Sequence, residues 1–383
     1  RSPPSLPASR EHRFQHAHTR VRARTHARTH NHTSQNSITP LGNTKHFLVS
    51  AYMDQRVKGF DIRIIGIFKR DSIEPLYCSF CCEGVFNKTT PATILINSDH
   101  FGFPFGATDV LCKIPESCDA SHVTVLTQPI TKKVSDPIWL PIRNKQSDKL
   151  TERKLNFTVC ISSLFGNYNN VLQVAQSLEM YRVVIYNTSC GPELERLLQS
   201  YSQEGFVEMV PWPIDRFLNP YSGWLFSEHG GDLQYFGQIV TLNECVYRSM
   251  ERSHYVLLND IDEIIMPYKH DNLVSLMNTL EPQHSIVSKL RRKKYINLWE
   301  QDINQWERDI NLLVEQTSVH KVLKNFGQRY YMPPALCHFI HVRMTQHESL
   351  KLEDLHEDKR LWHFQEKLIP NVDKVLKRAG LIN

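Results

Sequence analysis

The sequence predicts an α/β protein with a mostly parallel sheet flanked by helices, preceded by a small β-rich domain and a disordered N-terminal tail. Three observations lead to it. From residue 155 onward, short apolar runs at 157–162, 183–186, 207–210 and 255–258 alternate with amphipathic helical stretches. Such alternation gives parallel strands joined by right-handed crossovers. Residues 46–145 instead alternate short β-type runs with turn residues. Residues 1–45 are mostly Arg, His, Thr, Ser and Pro, with too few apolar side chains to bury a core.

Taken in order, residues 20–32 are a nearly repetitive Arg/Thr/His stretch, read as tail rather than as a His-rich metal site. In the β-rich domain, Phe60–Phe68, Leu76–Phe80, Thr93–Ile96, Val110–Ile114 and Val123–Leu126 are the expected strands, and residues 99–106 form a turn-rich loop. Residues 143–154 have linker composition, and 146–383 form the second domain. There, Phe157–Ser162 is a strand and Asn169–Tyr181 an Asn-capped helix with Val171, Val174, Leu178 and Tyr181 on one face. Val183–Tyr186 is a strand, and Pro192–Glu204 a helix stopped by Gly205. Val207–Val210, a longer helix over Asp232–Ser249 and the strand Tyr255–Leu258 complete the pattern.

Composition bounds the function. The 383 residues are 41% hydrophobic and 22% charged, an ordinary globular balance. The net charge of +5 is mild and owed partly to the N-terminus. No basic patch with interleaved aromatics recurs in the body, so nucleic acid is not expected as a partner. No apolar run approaches the roughly 20 residues of a membrane helix. The chain begins at Arg1 rather than Met, so an upstream signal or anchor is expected outside it. Five of its nine cysteines fall within residues 78–118. A zinc site and a disulfide framework are both open there. The Cys78-Ser-Phe-Cys81 half lacks a matching second half, which favours disulfides in an oxidising compartment. Sequons at Asn31, Asn87, Asn156 and Asn187 fit a secretory lumen.

The stretch Tyr255-Val-Leu-Leu-Asn-Asp-Ile-Asp-Glu-Ile-Ile-Met-Pro267 carries the chemistry. A buried strand ending in acidic residues is costly unless a cation or ligand compensates it. On extended backbone Asp260 and Asp262 point the same way. Two hard carboxylates suit Mg²⁺ or Mn²⁺ carrying a phosphate, and ligands of parallel sheets bind at the carboxyl ends of strands. An Asp-nucleophile phosphatase also uses Asp-x-Asp after a strand. Its motif would open the domain and continue with a small residue, whereas here it comes late and continues Glu-Ile-Ile. Trp212, between Pro211 and Pro213, is either a stacking face for a base or sugar, or a loop anchor packed on the core. Ser162 and Asn187, at strand ends, are within expected reach of a nucleotide.

Several segments resemble glycosyltransferase family 92, in the same order as in that family. They are Cys160-Ile-Ser-Ser-Leu-Phe-Gly-Asn-Tyr-Asn169, Val183-Val-Ile-Tyr-Asn187, Val207-Glu-Met-Val-Pro-Trp-Pro213, Gly237-Gln238, Asn243-Glu-Cys245 and Leu258-Asn-Asp-Ile-Asp-Glu263. The resemblance covers roughly residues 140–380. It implies a GT-A-type domain that transfers sugar, notably galactose in β linkage, from a nucleotide-sugar such as UDP-galactose to a glycan acceptor with inversion. It implies Mn²⁺ (or Mg²⁺) on Asp260 and Asp262. It also matches His338-Phe-Ile-His341-Val-Arg343 to a late segment, with His341 as the third metal ligand and Arg343 on the diphosphate. It further implies a lumen-facing, single-pass type II protein of the Golgi membrane, with the anchor outside this chain.

Two places depart from the family. Only Arg182 separates the expected helix at Tyr181 from the strand at Val183. Residues 286–311, where acceptor-binding elements are expected, are atypical, basic and helical in type. Glu300, Asp302, Glu307 and Asp309 lie in or beside this interval, but the catalytic base is unassigned. The alternative reading is therefore a non-catalytic nucleotide-sugar- or glycan-binding protein that has lost its acceptor site. A disulfide-linked interaction module centred on Cys78–Cys118 is a third.

Overall fold

In the computed structural model the described residues are 34, 36–82, 85–129, 137–145, 155–179, 182–283, 297–301, 308–312, 314–319, 321–327, 329–332, 335–341 and 359–383. The first sheet contains β1 (Thr39–Pro40), β2 (Phe47–Met53), β3 (Ile62–Lys69), β4 (Tyr77–Cys82) and β5 (Val85–Pro91). Its other strands are β6 (Thr93–Ile96), β7 (Phe105–Cys112), β8 (Ala120–Leu126) and β9 (Leu140–Arg143). The order is β5-β4-β8-β9-β2-β3-β7-β6, with β1 beside β2. Every pairing but β2 with β9 is antiparallel.

β3 shows why this sheet is buried on both faces. Alternate side chains point to opposite faces. Ile62 and Ile64 enter a core with Phe80, Val110 and Val123, while Ile65 and Ile67 face a second core shared with the other domain. The disulfide Cys78–Cys112 joins β4 to β7, near opposite ends of the strand order, so the sheet curls face to face around the first core. Cys82–Cys118 ties the end of β4 to the loop before β8. These bonds settle the cysteine cluster as disulfides and overturn the zinc alternative. Each closes a loop of 34 or 36 residues, which in the chain-entropy account stabilises by about 4 kcal/mol.

The second sheet runs β12-β11-β10-β15-β17-β18-β21. Its parallel part is β12 (Val207–Pro211), β11 (Val183–Asn187), β10 (Leu155–Leu164), β15 (Ser253–Leu258) and β17 (Asn297–Gln301). Antiparallel β18 (Arg308–Leu312) and β21 (Arg329–Met332) finish it, so the sheet is mixed. On one face lie α1 (Val171–Leu178), α2 (Pro192–Gln203), α5 (Leu273–Gln283) and a C-terminal helix (Gln365–Arg378, labelled α6). The remaining elements are β13 (Pro220–Tyr221), α3 (Phe226–His229), β14 (Leu233–Gln234), α4 (Gln238–Ser249), β16 (Glu263–Pro267), β19 (Val314–Thr317), β20 (Val322–Asn325) and β22 (Cys337–His341).

Several expectations change. The stretch read as helical within 286–311 supplies β17 and β18 where it is described, because the open edge of β15 offers a ladder that local propensity cannot foresee. Residues 284–296 and 302–307 lie outside the described residues. The helix expected over Asp232–Ser249 begins only at Gln238. Tyr235, Phe236 and Gly237 all have positive φ (43°, 51° and 79°), which breaks the helical path. α1 ends at Leu178, short of the expected Tyr181, and residues 180–181 lie outside the described residues. Asn170, one residue later than expected, caps it by accepting from the Gln173 amide. Ordered structure also begins before residue 46, since β1 pairs with β2 and Ile38 is buried. Residues 1–33 lie outside the described residues.

α4 is the element on which the two sheets meet. Ile239, Leu242 and Val246 share one core with Ile65 and Ile67 of the first sheet and with Val184 and Val256 of the second. A helix buried all round has no polar face, yet α4 carries Asn243, Glu244 and Cys245. Each is accounted for. Asn243 bonds the main chain of Thr317 in both directions, at 2.8 and 3.0 Å. Cys245 is bonded to Cys160 of β10. Glu244, fully buried, accepts from Tyr52 (2.5 Å), Tyr186, Arg143 (3.4 Å) and Arg248 (2.9 and 2.8 Å). Burial alone would raise its carboxyl pKa; Arg248 and the two phenols reverse this and hold it down at about 2.

A carboxyl held below its ordinary value contributes stability above that value and loses it as pH falls through the folded pKa. With an ordinary value of 4.5 and a folded value of about 2, the contribution is about 3 kcal/mol, lost between roughly pH 5 and pH 1. Glu244→Gln is expected to lose a few kcal/mol at pH 7 in urea unfolding, because Arg248 loses its fully buried charge partner and keeps only the more exposed Glu208. The variant should also show a flatter decline in stability below pH 5 than the parent. Equal acid sensitivity in both proteins would show that Glu244 does not carry this effect.

Candidate functional site

The carboxyl edge of the parallel strands gathers the residues of interest. The Asn259 amide donates to the Cys160 carbonyl at 3.3 Å, extending the ladder just past β15. The chain then turns. Glu263 N–H donates to the Asp260 carbonyl at 3.1 Å, and Asp260 N–H donates to Glu263 Oε2 at 3.0 Å. The Ile261 carbonyl accepts from Ser177 of α1 at 2.9 Å, and its side chain packs on the helical core. Asp260 and Asp262 remain half-buried, while Asn259 and Glu263 are buried. The two aspartates therefore sit in a closed turn rather than on extended strand, so strand alternation is not what relates them.

Two phenols report the charge of this turn. Burial and then the negative charge of Asp262 push Tyr168 up to about 12. Tyr235 is raised by burial, then by Asp260, then by Asp262. Both carboxylates thus act on Tyr235, and both phenols keep their protons at neutral pH. Tyr168 lies in the loop after β10, where Asn169 Oδ1 accepts the Leu194 amide at the start of α2 at 2.9 Å. Gly191 makes this approach possible, since a Cβ there would lie 2.3 Å from Asn169 Cγ.

The other expected site residues are placed as follows. β16 pairs antiparallel with β22 and sets His341 opposite Glu263, so the late histidine's backbone reaches the acidic turn. His338 of the same strand is exposed, with its ring 4.4 Å from that of Tyr268. Arg343 lies outside the described residues. Ser162 is buried and accepts from Gln238 Nε2 at 3.2 Å. Asn187 is half-buried at the end of β11. Trp212 takes its second reading. It is fully buried, donates Nε1–H to the Phe236 carbonyl at 2.8 Å and meets Tyr186 edge-on. An indole so enclosed anchors the loop and presents no face to a ligand.

Tyr168, Tyr235 and Phe236 are the site-edge residues that sequence reasoning missed, whereas Glu263 was part of the acidic strand end it singled out. The one available signal was Gly237-Gln238, which marks where the left-handed turn meets α4. The Phe236 carbonyl accepts from both Ser163 (2.9 Å) and Trp212 (2.8 Å). Backbone strain of this kind persists where surrounding contacts over-determine it, typically at functional sites.

As a cation site, the turn offers two hard carboxylates, with the buried Asn259 Oδ1 unpartnered beside them among the described residues. No set of three His, Cys, Asp or Glu side chains converges among the described residues. Mg²⁺ is ordinarily held by one or two carboxylates plus phosphate and water oxygens. The pair therefore fits a cation that arrives with a diphosphate.

These features define an α/β domain with an acidic turn at the carboxyl edge of its parallel strands. Residues 156–324 match the model of glycosyltransferase family 92. The match runs from β10 into β20, including the acidic turn but not His341. A beta-1,4-galactosyltransferase of Caenorhabditis elegans is 23% identical over 277 residues, 69% of this chain and 62% of its own length. A glycosyltransferase family 92 protein of the same organism is 28% identical over 139 residues, 34% of this chain and 26% of its own length. The chain thus spans less than two thirds of each relative.

Gly237 tests the strained turn. Its φ of +79° disfavours any L side chain, and a Cβ would lie 3.1 Å from Leu233 and 3.4 Å from Trp212. Gly237→Ala is expected to cost about 1–3 kcal/mol in thermal or urea unfolding. A loss below about 0.5 kcal/mol, the level of an ordinary surface change, would mean the turn is not constrained.

Proposed function

We propose that this protein transfers galactose from UDP-galactose to a hydroxyl of a glycan acceptor with inversion, using Mn²⁺ (or Mg²⁺). The observation that carries this is the acidic turn, Asp260 and Asp262, at the carboxyl edge of the parallel strands within the family-matched segment. Galactose and the β product are supported by the name of the worm relative. UDP-galactose is α-linked, so a β product requires inversion.

In this reading Asp260, Asp262 and His341 hold the cation. Arg343 pairs with the diphosphate, and Ser162 and Asn187 meet the nucleotide. When bound, the cation would offset charge on the departing diphosphate. The acceptor oxygen forms a bond to the anomeric carbon as the bond to the diphosphate breaks, and the acceptor's proton passes to a carboxylate base. β17 runs parallel to β15 with Trp299 opposite Leu257, so Glu300 follows at the same edge by register. Glu300 itself pairs in register with Asp309 of β18. Three disulfides among the described residues support an oxidising lumen, and a Golgi membrane location is proposed with them. No helix among the described residues is long and apolar enough to cross a membrane.

Calorimetric titration of the full chain with UDP-galactose is expected to show Mn²⁺-dependent binding. Asp262→Ala should weaken it at least about tenfold, as loss of a charged ligand contact would. Binding unaffected by chelator, or an Asp262→Ala variant equal to its parent, would sink the proposal. Donor binding without transfer to any glycan would favour the non-catalytic alternative.

A further inference from the structure

The segment between β13 and β14 leaves an apolar ridge in solvent beside the acidic turn. Trp224 is 37% exposed, Leu225 45% and Phe226 40%. Single exposed apolar residues need no explanation, but three in sequence beside a ligand edge do. The indole is also held in place. Phe101 meets it edge-on with centroids 5.5 Å apart, and Tyr235 lies tilted against it at 5.7 Å. The preceding turn is built on Gly223, where a Cβ would fall 2.3 Å from the Tyr221 ring. Phe226 N–H donates to the Phe101 carbonyl at 3.2 Å, and its ring packs edge-on against Phe103 at 5.7 Å. The β-rich domain therefore clamps the ridge from behind.

Geometry connects this ridge to the acidic turn. Tyr235 packs edge-on against Phe165 at 5.2 Å, and the next residue, Phe236, accepts from Ser163 near the end of β10. The Asn259 amide is bonded to Cys160 of the same strand. Ridge and carboxylates thus hang from one strand end. Tyr235, whose ring meets Trp224 and also Phe165 beside the end of that strand, stands between them.

We propose that Trp224 is a stacking platform for a pyranose ring, and that it helps select the sugar handled at this site. One face of a pyranose presents C–H bonds, which an indole face accepts as an apolar partner, while neighbouring hydroxyls need donors and acceptors such as the Tyr235 phenol. The ring could come from the hexosyl group of the donor or from the terminal sugar of the acceptor; the chemistry is shared. This inference rests on the sugar-transfer reading above. A nucleobase also stacks on aromatic rings, and the test treats that as a failure.

The full chain, Trp224→Ala and Trp224→Phe are titrated with UDP, with UDP-galactose and with methyl glycosides of the monosaccharides found in animal glycans. Calorimetry in Mn²⁺ follows the nucleotides, and saturation-transfer NMR in Mg²⁺ follows the glycosides. Trp224→Phe keeps a ring against Phe101 and Tyr235, so its thermal midpoint should match the parent's and separates a binding effect from lost packing. Trp224→Ala is expected to weaken UDP-galactose or a methyl glycoside by roughly tenfold, with UDP unchanged and partial recovery in Trp224→Phe. Loss for UDP-galactose assigns the platform to the donor, and loss for a glycoside assigns it to the acceptor. Equal weakening of UDP and UDP-galactose overturns the proposal in favour of base stacking. Unchanged affinity for every probe also overturns it. If the parent binds neither nucleotide but its glycoside binding still depends on Trp224, the sugar-transfer reading falls and the platform stands. If no saccharide binds at all, both fall.

Discussion

A single buried carboxylate, Glu244, is the contact on which the two halves of this molecule depend. It lies on a helix enclosed between two sheets and takes hydrogen bonds from Tyr52 in the first sheet, Tyr186 in the second and Arg248 on its own helix. An ionised carboxylate in such a place is costly unless its oxygens are satisfied and its charge is paired. Here both conditions hold, and the acceptor geometry ties β2, β11 and α4 to one point. A similar arrangement sits nearby. Arg63, fully buried in β3, pairs with Asp54, Asp109 and Glu315, so β19 is bound to the first sheet by charge as well as by packing.

That arrangement bears on the functional edge through α4. The helix cannot shift without disturbing Glu244, the Cys160–Cys245 bond and the Asn243 contacts to Thr317. Its first turn therefore has a fixed position, and the left-handed residues Tyr235–Gly237 before it are forced to close the remaining gap. The carbonyl of Phe236 then serves both Ser163 and Trp212, which couples the ends of β10 and β12. Tyr235 on this turn lies near enough to the acidic residues after β15 for their charge to raise its pKa. The β-rich domain thus reaches the site in two ways, through the buried charges behind α4 and through Phe101 and Phe103 beneath the exposed ridge.

Motifs that resembled a catalytic family divide into two kinds. Leu258–Glu263 forms the acidic turn and has half-buried carboxylates suited to a charged ligand. Asn243-Glu-Cys245 and Pro211-Trp-Pro213 serve the fold, since each of their central side chains is buried and fully engaged. A recurrent motif therefore marks where structure is demanding, whether or not chemistry occurs there. Separating the two required burial and partners, which no spacing rule contains.

Much was legible in the sequence. The strands at 157–162, 183–186, 207–210 and 255–258, the helix at 192–204 and the acidic strand end all follow from local periodicity and short-range punctuation, which act within a few residues. The strands β2, β5 and β9 and the ladder of β17 and β18 were missed, because strand formation depends on which edge is available to pair. Disulfide partners were equally beyond reach, since pairing is set by distances between strands and not by spacing along the chain. The sequence alone determined that carboxylates would end a buried strand in a parallel sheet. Only the tertiary structure decided that Trp212 is sealed in the core while Trp224 stands exposed. That difference is one of burial, and burial is a property of the packed whole.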